Sequence, residues 1–197
     1  MGVVTMVVGW APAATASEVY GTLGSGGANV VYTADPGEAN RLVVLYDLIE
    51  SGPGARLAVM DQGNTMRLGP DFGFPDHNCR LTALGATCPA PLGFNAHLGD
   101  GNDTAVIESH DPVFGVGAQE NWLWGGPGDD ILSGDTPVGL LAVQTDTLIG
   151  ESGNDTLLSV DGAFDRLQCG PGSDTAIVDS QDDVAADCEL VLGKLAG

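Results

Sequence analysis

The chain has 197 residues, with 27 acidic side chains, 6 basic ones and a formal net charge of −21. That charge argues against nucleic acid or an anionic membrane surface as partner, and 43% apolar residues argue against a disordered acidic chain. Thirty glycines and only 6% aromatics point instead to a turn-rich all-β fold.

Residues 2–14 form an apolar, uncharged run that leads into Ala14-Thr15-Ala16. This small-x-small pattern marks a signal-peptidase cut, although no Lys or Arg precedes the run. Residues 1–16 are therefore expected to be a signal peptide and the mature chain to be secreted. The run is shorter than the roughly 20 residues a bilayer needs, and no later stretch is long and apolar enough, so no membrane span is expected.

Residues 17–97 carry a net charge of only −4 together with residues 1–16, from 8 acidic and 4 basic side chains. Strand-like runs at Asn29–Thr33, Arg41–Asp47, Arg56–Asp61 and Phe94–Leu98 are separated by turn signals such as Asp35-Pro36-Gly37. The apolar run Leu42–Ile49 also tolerates a helix. This half is expected to form short β segments that cap the start of a solenoid, or else a separate small β domain.

Four cysteines in an exported chain suggest two disulfides. Of the three pairings, Cys79–Cys88 with Cys169–Cys188 is favoured because each bond pins a local loop. A zinc site from Cys79, Cys88, His77 and His97 is disfavoured, since no CxxC and no close His pair occurs.

Residues 98–178 hold the strongest signal, a repeat of nine. GGPGDDILS at 125–133 matches G-G-x-G-x-D-x-U-x, where U is apolar, through Gly125, Gly126, Gly128, Asp130 and Leu132. GESGNDTLL at 150–158 supplies Gly150, Gly153, Asp155 and Leu157. CGPGSDTAI at 169–177 supplies Gly170, Gly172, Asp174 and Ala176. Weaker copies give Asp165 with Leu167, Asp146 with Leu148 after a seven-residue insertion, Asn121 with Leu123, and Asp103 in LGDGNDTAV. The stretch 107–115 fits no copy and is taken as an excursion.

The residue types have physical reasons. Glycine lets the chain turn with positive φ and brings carbonyls together. The residues after each Asp form a short strand with alternate side chains inward, so Leu132, Leu148, Leu157 and Leu167 are expected to stack as a ladder core. Carboxylates beside turn carbonyls form a hard oxygen set that suits Ca²⁺ better than Mg²⁺ or softer metals. The half from residue 98 onward carries 19 acidic and 2 basic side chains. Its net −17 opposes compaction unless a cation intervenes.

The array at about 98–178 resembles the RTX, or haemolysin-type calcium-binding, repeat family. The resemblance implies a right-handed parallel β-roll, with successive nonapeptides on alternate edges and Ca²⁺ held between turns by Asp carboxylates and carbonyls. By register one edge would hold Asn121, Asp146 and Asp165, and the other, better one Asp130, Asp155 and Asp174. The turns 125–128, 150–153 and 170–172 would supply the carbonyls. The segment 174–191 is similar to the closing segment of such proteins, with Cys188 tied back to Cys169. Residues 179–197 form the C-terminal cap, where Asp179, Asp182, Asp183 and Asp187 are read as a solvated acidic surface.

No G-x-S-x-G, H-E-x-x-H or Walker pattern occurs, so no catalytic residues are assigned and no enzyme is expected. The function expected is a secreted calcium-binding β-roll protein whose folding is coupled to Ca²⁺. Two alternatives differ in class: an adhesion or glycan-binding module that uses Trp122 and Trp124, which are read mainly as core residues, and a secreted hydrolase built on the roll.

Overall fold

The structure is a computed structural model and describes residues 16–24, 27–47, 56–69, 79–89, 93–109, 120–134 and 145–193. Residues 1–15 of the expected signal peptide, the insertion within 135–144 and residues 110–115 of the expected excursion lie outside them. The described residues are all-β, without helix.

The N-terminal strands are β1 (Ser17–Gly24), β2 (Gly27–Thr33), β3 (Arg41–Asp47), β4 (Arg56–Asp61), β5 (Met66–Leu68), β6 (Arg80–Thr82) and β7 (Gly85–Pro89). Next come β8 (Gly93–His97), β9 (Thr104–Ser109), β10 (Glu120–Pro127), β11 (Ile131–Ser133) and β12 (Thr145–Ser152). The chain continues with β13 (Thr156–Ser159), β14 (Arg166–Gln168), β15 (Thr175–Val178), β16 (Asp183–Val184) and β17 (Leu190–Leu192).

The expected strands at 41–47 and 56–61 match β3 and β4, and the other two shift slightly at their ends. The excursion expected from residue 107 begins later, because β9 runs to Ser109 and pairs along its length with β3. The parallel edge of β3 extends that strand where the nonapeptide pattern has already failed.

From β8 onward the chain alternates between two sheets. One has the order β16-β14-β12-β10-β8-β2-β1-β5, the other β17-β15-β13-β11-β9-β3-β4-β7-β6. All pairings among β8 to β17 are parallel. The N-terminal part differs: β1–β2, β3–β4, β4–β7 and β6–β7 are antiparallel. Both sheets nevertheless pass from one half into the other, through the parallel pairs β2–β8 and β3–β9.

Strict register turns the repeat into two inward columns. In one sheet Tyr32, Ala96, Leu123, Leu148, Leu167 and Val184 are successive partners. In the other the column is Leu42, Ala105, Leu132, Leu157 and Ala176, ending at the exposed Val191. The expected ladder leucines 132, 148, 157 and 167 are all buried, and residues of both columns belong to one core cluster. Alternation in short strands selects one inward side chain per copy, and a slip of one residue would expose it.

Disulfides join Cys79 to Cys88 and Cys169 to Cys188. The first pins the β6–β7 hairpin at its open end. The second ties the start of the last glycine turn to the segment before β17.

Trp122 and Trp124 are not core residues. They alternate with buried Asn121 and Leu123 along β10 and so project from the outer face. Trp124 stacks on His97 at 4.3 Å between ring centroids and on Trp122 at 5.4 Å. The aromatic faces are thus engaged with one another.

Candidate metal centre

The glycine turns that precede β9, β11, β13 and β15 lie one upon the next. Gly101 donates its N–H to Pro127 O, Gly128 to Ser152 O and Gly153 to Pro171 O, at 2.8–3.1 Å. The stacking is close enough that a β-carbon on Gly128 would overlap the Gly101 carbonyl oxygen, and one on Gly153 that of Gly128. Gly128 and Gly153 also have positive φ, 150° and 144°. This close approach is the physical reason for glycine at the fourth position in each copy on this edge, Gly101, Gly128, Gly153 and Gly172. The second position admits one exception: Glu151 has φ 74°, in the left-handed region where its counterparts Gly99, Gly126 and Gly170 also lie.

The sixth-position carboxylates form a ladder through the stack. Asp103 Oδ1 accepts from Asn40 N at 2.7 Å, Asp130 Oδ1 from Asp103 N at 2.8 Å, and Asp155 Oδ1 from Asp130 N at 2.9 Å. Asp174 Oδ1 accepts from Asp155 N, and Glu189 from Asp174 N, both at 2.8 Å. The grouping Asp130–Asp155–Asp174 expected from the register is therefore present. Asp103 joins it as a further member; its 27-residue offset from Asp130, three periods, was the available signal. Asn40 and Glu189 occupy the ends.

The partner edge carries its own ladder. Asp146 Oδ1 accepts from Asn121 Nδ2, Asp165 Oδ1 from Asp146 N, and Asp182 Oδ1 from Asp165 N. Asp182, read as part of a solvated surface, is buried because its second oxygen also accepts from Asp179 N at 2.8 Å. Each ladder starts at a neutral Asn that takes a buried tyrosine hydroxyl: Tyr32 bonds Asn40 Oδ1 at 2.9 Å and Tyr46 bonds Asn121 Oδ1 at 2.7 Å. Burial raises both tyrosine pKa values, which keeps the hydroxyls protonated and donating.

The first ladder leaves half of each carboxylate without a hydrogen bond. Oδ2 of Asp103, Asp130, Asp155 and Asp174 is buried with no hydrogen-bond partner. An ionised oxygen in that condition is costly unless a cation meets it. At two positions the oxygen faces a space that a side chain would fill. A β-carbon on Gly125 would overlap Asp130 Oδ2 and stand 2.9 Å from Gly150 O. One on Gly150 would overlap Asp155 Oδ2 and stand 2.5 Å from Cys169 O. A carboxylate oxygen and a carbonyl of the next turn thus converge beside each glycine, a hard-oxygen set that fits Ca²⁺. Among the described residues there is no group of three His, Cys, Asp or Glu side chains placed to hold a metal. Of the other predicted site residues, Gly126, Gly128, Gly153, Gly170 and Gly172 shape the stacked turns, while Asp146 and Asp165 lie on the partner edge.

The electrostatics follow from burial. Burial, and after it the charges of Asp103, Asp155 and Asp129, pushes the Asp130 pKa up to about 7. Burial also raises Asp103 and Asp155, and lifts Asp165 to about 6 and Asp182 to about 7. These groups bind protons more tightly folded than unfolded, so their contribution to stability is complete below the unfolded value of about 3.9 and is lost as pH rises through 6–7. In EDTA the melting temperature is therefore expected to rise by several degrees as pH falls from about 8 to 5.5. His97, with a pKa lowered by burial, works in the opposite sense as one group against several. Thermal melts across that range check this; a melting temperature that falls steadily on acidification in EDTA contradicts it.

No protein-family model, no curated protein and no solved structure significantly matches the chain.

Proposed function

We propose that this chain is a secreted, non-enzymatic calcium-binding protein of the RTX type, a right-handed parallel β-roll whose compact state depends on Ca²⁺. The observation that carries the reading is the ladder of buried aspartates with unpartnered Oδ2 atoms, two of which share a glycine-lined space with a turn carbonyl. Bound calcium would supply positive charge to carboxylates that have none nearby in the ladder. The chain's own part is to hold those oxygens in place: Oδ1 is fixed by the N–H of the preceding turn's Asp, and the glycines keep the space clear.

Secretion is supported by the signal-like N-terminal pattern and by two disulfides, which persist in oxidising compartments. Extracellular calcium is then available to a chain that would stay expanded before export, held open by its −17 half. The self-stacked tryptophans offer less to a saccharide than free ring faces would, which favours calcium over the adhesion reading.

Circular dichroism of the purified mature chain tests the proposal. In EDTA the spectrum is expected to lose part of its β signal and the remainder to melt at a lower temperature, and millimolar CaCl₂ to restore both. An unchanged spectrum, with no calcium bound, sinks it.

A further inference from the structure

We infer that copies of this chain associate head to tail, the C-terminal edge strands of one copy pairing with the N-terminal edge strands of the next. The inference concerns the ends of the two sheets and stands apart from the calcium reading.

One sheet ends on β5 and β16, the other on β6 and β17, and among the described residues no strand pairs with their free sides. Such edges present unpaired N–H and C=O groups, a template for pairing with another chain. Leu190 donates its N–H inward to Asp174 O, so strand alternation turns the N–H and C=O of Val191 to the open side. No charge in β17 blunts that edge: Leu190, Val191 and Leu192 are 49%, 39% and 44% exposed. At the other end Leu68 of β5, Leu81 of β6 and Leu84 of the β6–β7 turn are exposed as well. Six of the ten large apolar side chains exposed among the described residues thus sit at the two ends, a distribution that marks an interaction surface.

Strand direction suits the contact in both sheets. β5 is parallel to β1, and β1 is antiparallel to β2, so β5 runs against the repeat strands that end at β16. The successive antiparallel pairs β3–β4, β4–β7 and β7–β6 leave β6 running against β9 and the strands that end at β17. A second copy stacked end on end in the same orientation therefore meets both edges as antiparallel pairs, β16 with β5 and β17 with β6.

Charge selects unlike ends over like ones. Residues 179–193 hold five acidic side chains and no basic one, so two C-terminal ends repel. β5 and β6 each carry one arginine and no acid. Arg80 is exposed and makes no ion pair among the described residues, and Arg67 stays half exposed although it pairs with Glu18 at 2.8 Å. Only the N-terminal end against the C-terminal one brings arginines to the acidic segment. A contact between unlike surfaces does not close on itself and grows into an open chain.

Sedimentation of the full mature chain in CaCl₂ tests this with two blocked variants. The wild-type mass is expected to rise with concentration past the dimer. Val191→Pro removes the N–H at the open side of β17, and Arg80→Glu reverses the charge at the opposite end. Each alone is expected to stay monomeric. Mixed, they are expected to form a one-to-one dimer and nothing longer, because each keeps the end that the other has lost. Circular dichroism checks the fold of each variant, and Leu190→Asp replaces Val191→Pro if proline disturbs the strand. A variant that dimerises alone assigns the contact to like ends and overturns the inference, as does a mixture that fails to pair. A wild type that is monomeric at every concentration overturns it too, its edges then being covered by the chain's own residues.

Discussion

Gly153→Ala is expected to be among the most damaging single-methyl additions at the described residues. The added β-carbon would overlap the carbonyl oxygen of Gly128 and lie 2.5 Å from its carbon, so two stacked turns must separate. Overpacking of that kind costs about 1–3 kcal/mol, and a side chain at φ 144° adds roughly 1–2 kcal/mol of backbone strain. Against a net stability of about 5–15 kcal/mol, the sum removes much of the fold's margin. Opening the turns would also displace Ser152 O and Pro171 O from their N–H partners at Gly128 and Gly153. Gly162→Ala is the matched control: φ is 89°, yet nothing lies within 4 Å of its β-carbon. It should cost only about 1–2 kcal/mol. Urea unfolding of the two variants in CaCl₂ measures the difference. Equal losses would show that the turns do not bear on one another.

Leu157→Ala should cost about 2–5 kcal/mol, the usual range for an emptied leucine site in a tight core. Leu157 is fully buried between Leu132 and Ala176 in one inward column. Its neighbour Ala176 is small, so little side chain is available to collapse into the cavity. Ile131, an adjacent-strand residue that is 46% exposed, should lose less than about 1 kcal/mol on the same truncation. The comparison tests register as well as packing, because a slip of one residue would reverse which of the two sites is sensitive. Chemical denaturation with an unchanged m-value would confirm that only stability has moved.

The sequence shows the repeat half clearly because there its chemistry is local. Asp103, Asp130, Asp155 and Asp174 each lie two residues after a turn glycine and two before an inward leucine or alanine, so the nine-residue period carries turn, ladder and core together. The same period also aligned a fifth-position ladder, in which Asp129 N bonds Asn102, Asn154 N bonds Asp129 and Ser173 N bonds Asn154. Its members are exposed and of mixed type, so they raised no signal. The ladder ends were hidden by distance. Asn40 meets Asp103 across 63 residues, and Glu189 follows Asp174 by 15, off the period. Tryptophans 122 and 124 misled because large aromatics in a sparse core invite burial, while strand alternation against Leu123 puts them outside. In the N-terminal half four strands, β2, β3, β4 and β8, were legible from their apolar runs, while β1, β5, β6 and β7 were not, and the antiparallel pairing depends on partners remote in sequence.

Ionised ladder carboxylates matched by calcium are tested most directly by the melting temperatures of wild type and Asp130→Asn, each in EDTA and in CaCl₂ at pH 8. Asparagine retains the Oδ1 bond to Asp103 N but removes a charge that burial disfavours, so the variant should melt several degrees above wild type in EDTA. In millimolar CaCl₂ the order should reverse, because wild type gains binding energy that the variant largely forgoes. A variant that stays above wild type in both buffers, with a wild type indifferent to calcium, would contradict the account.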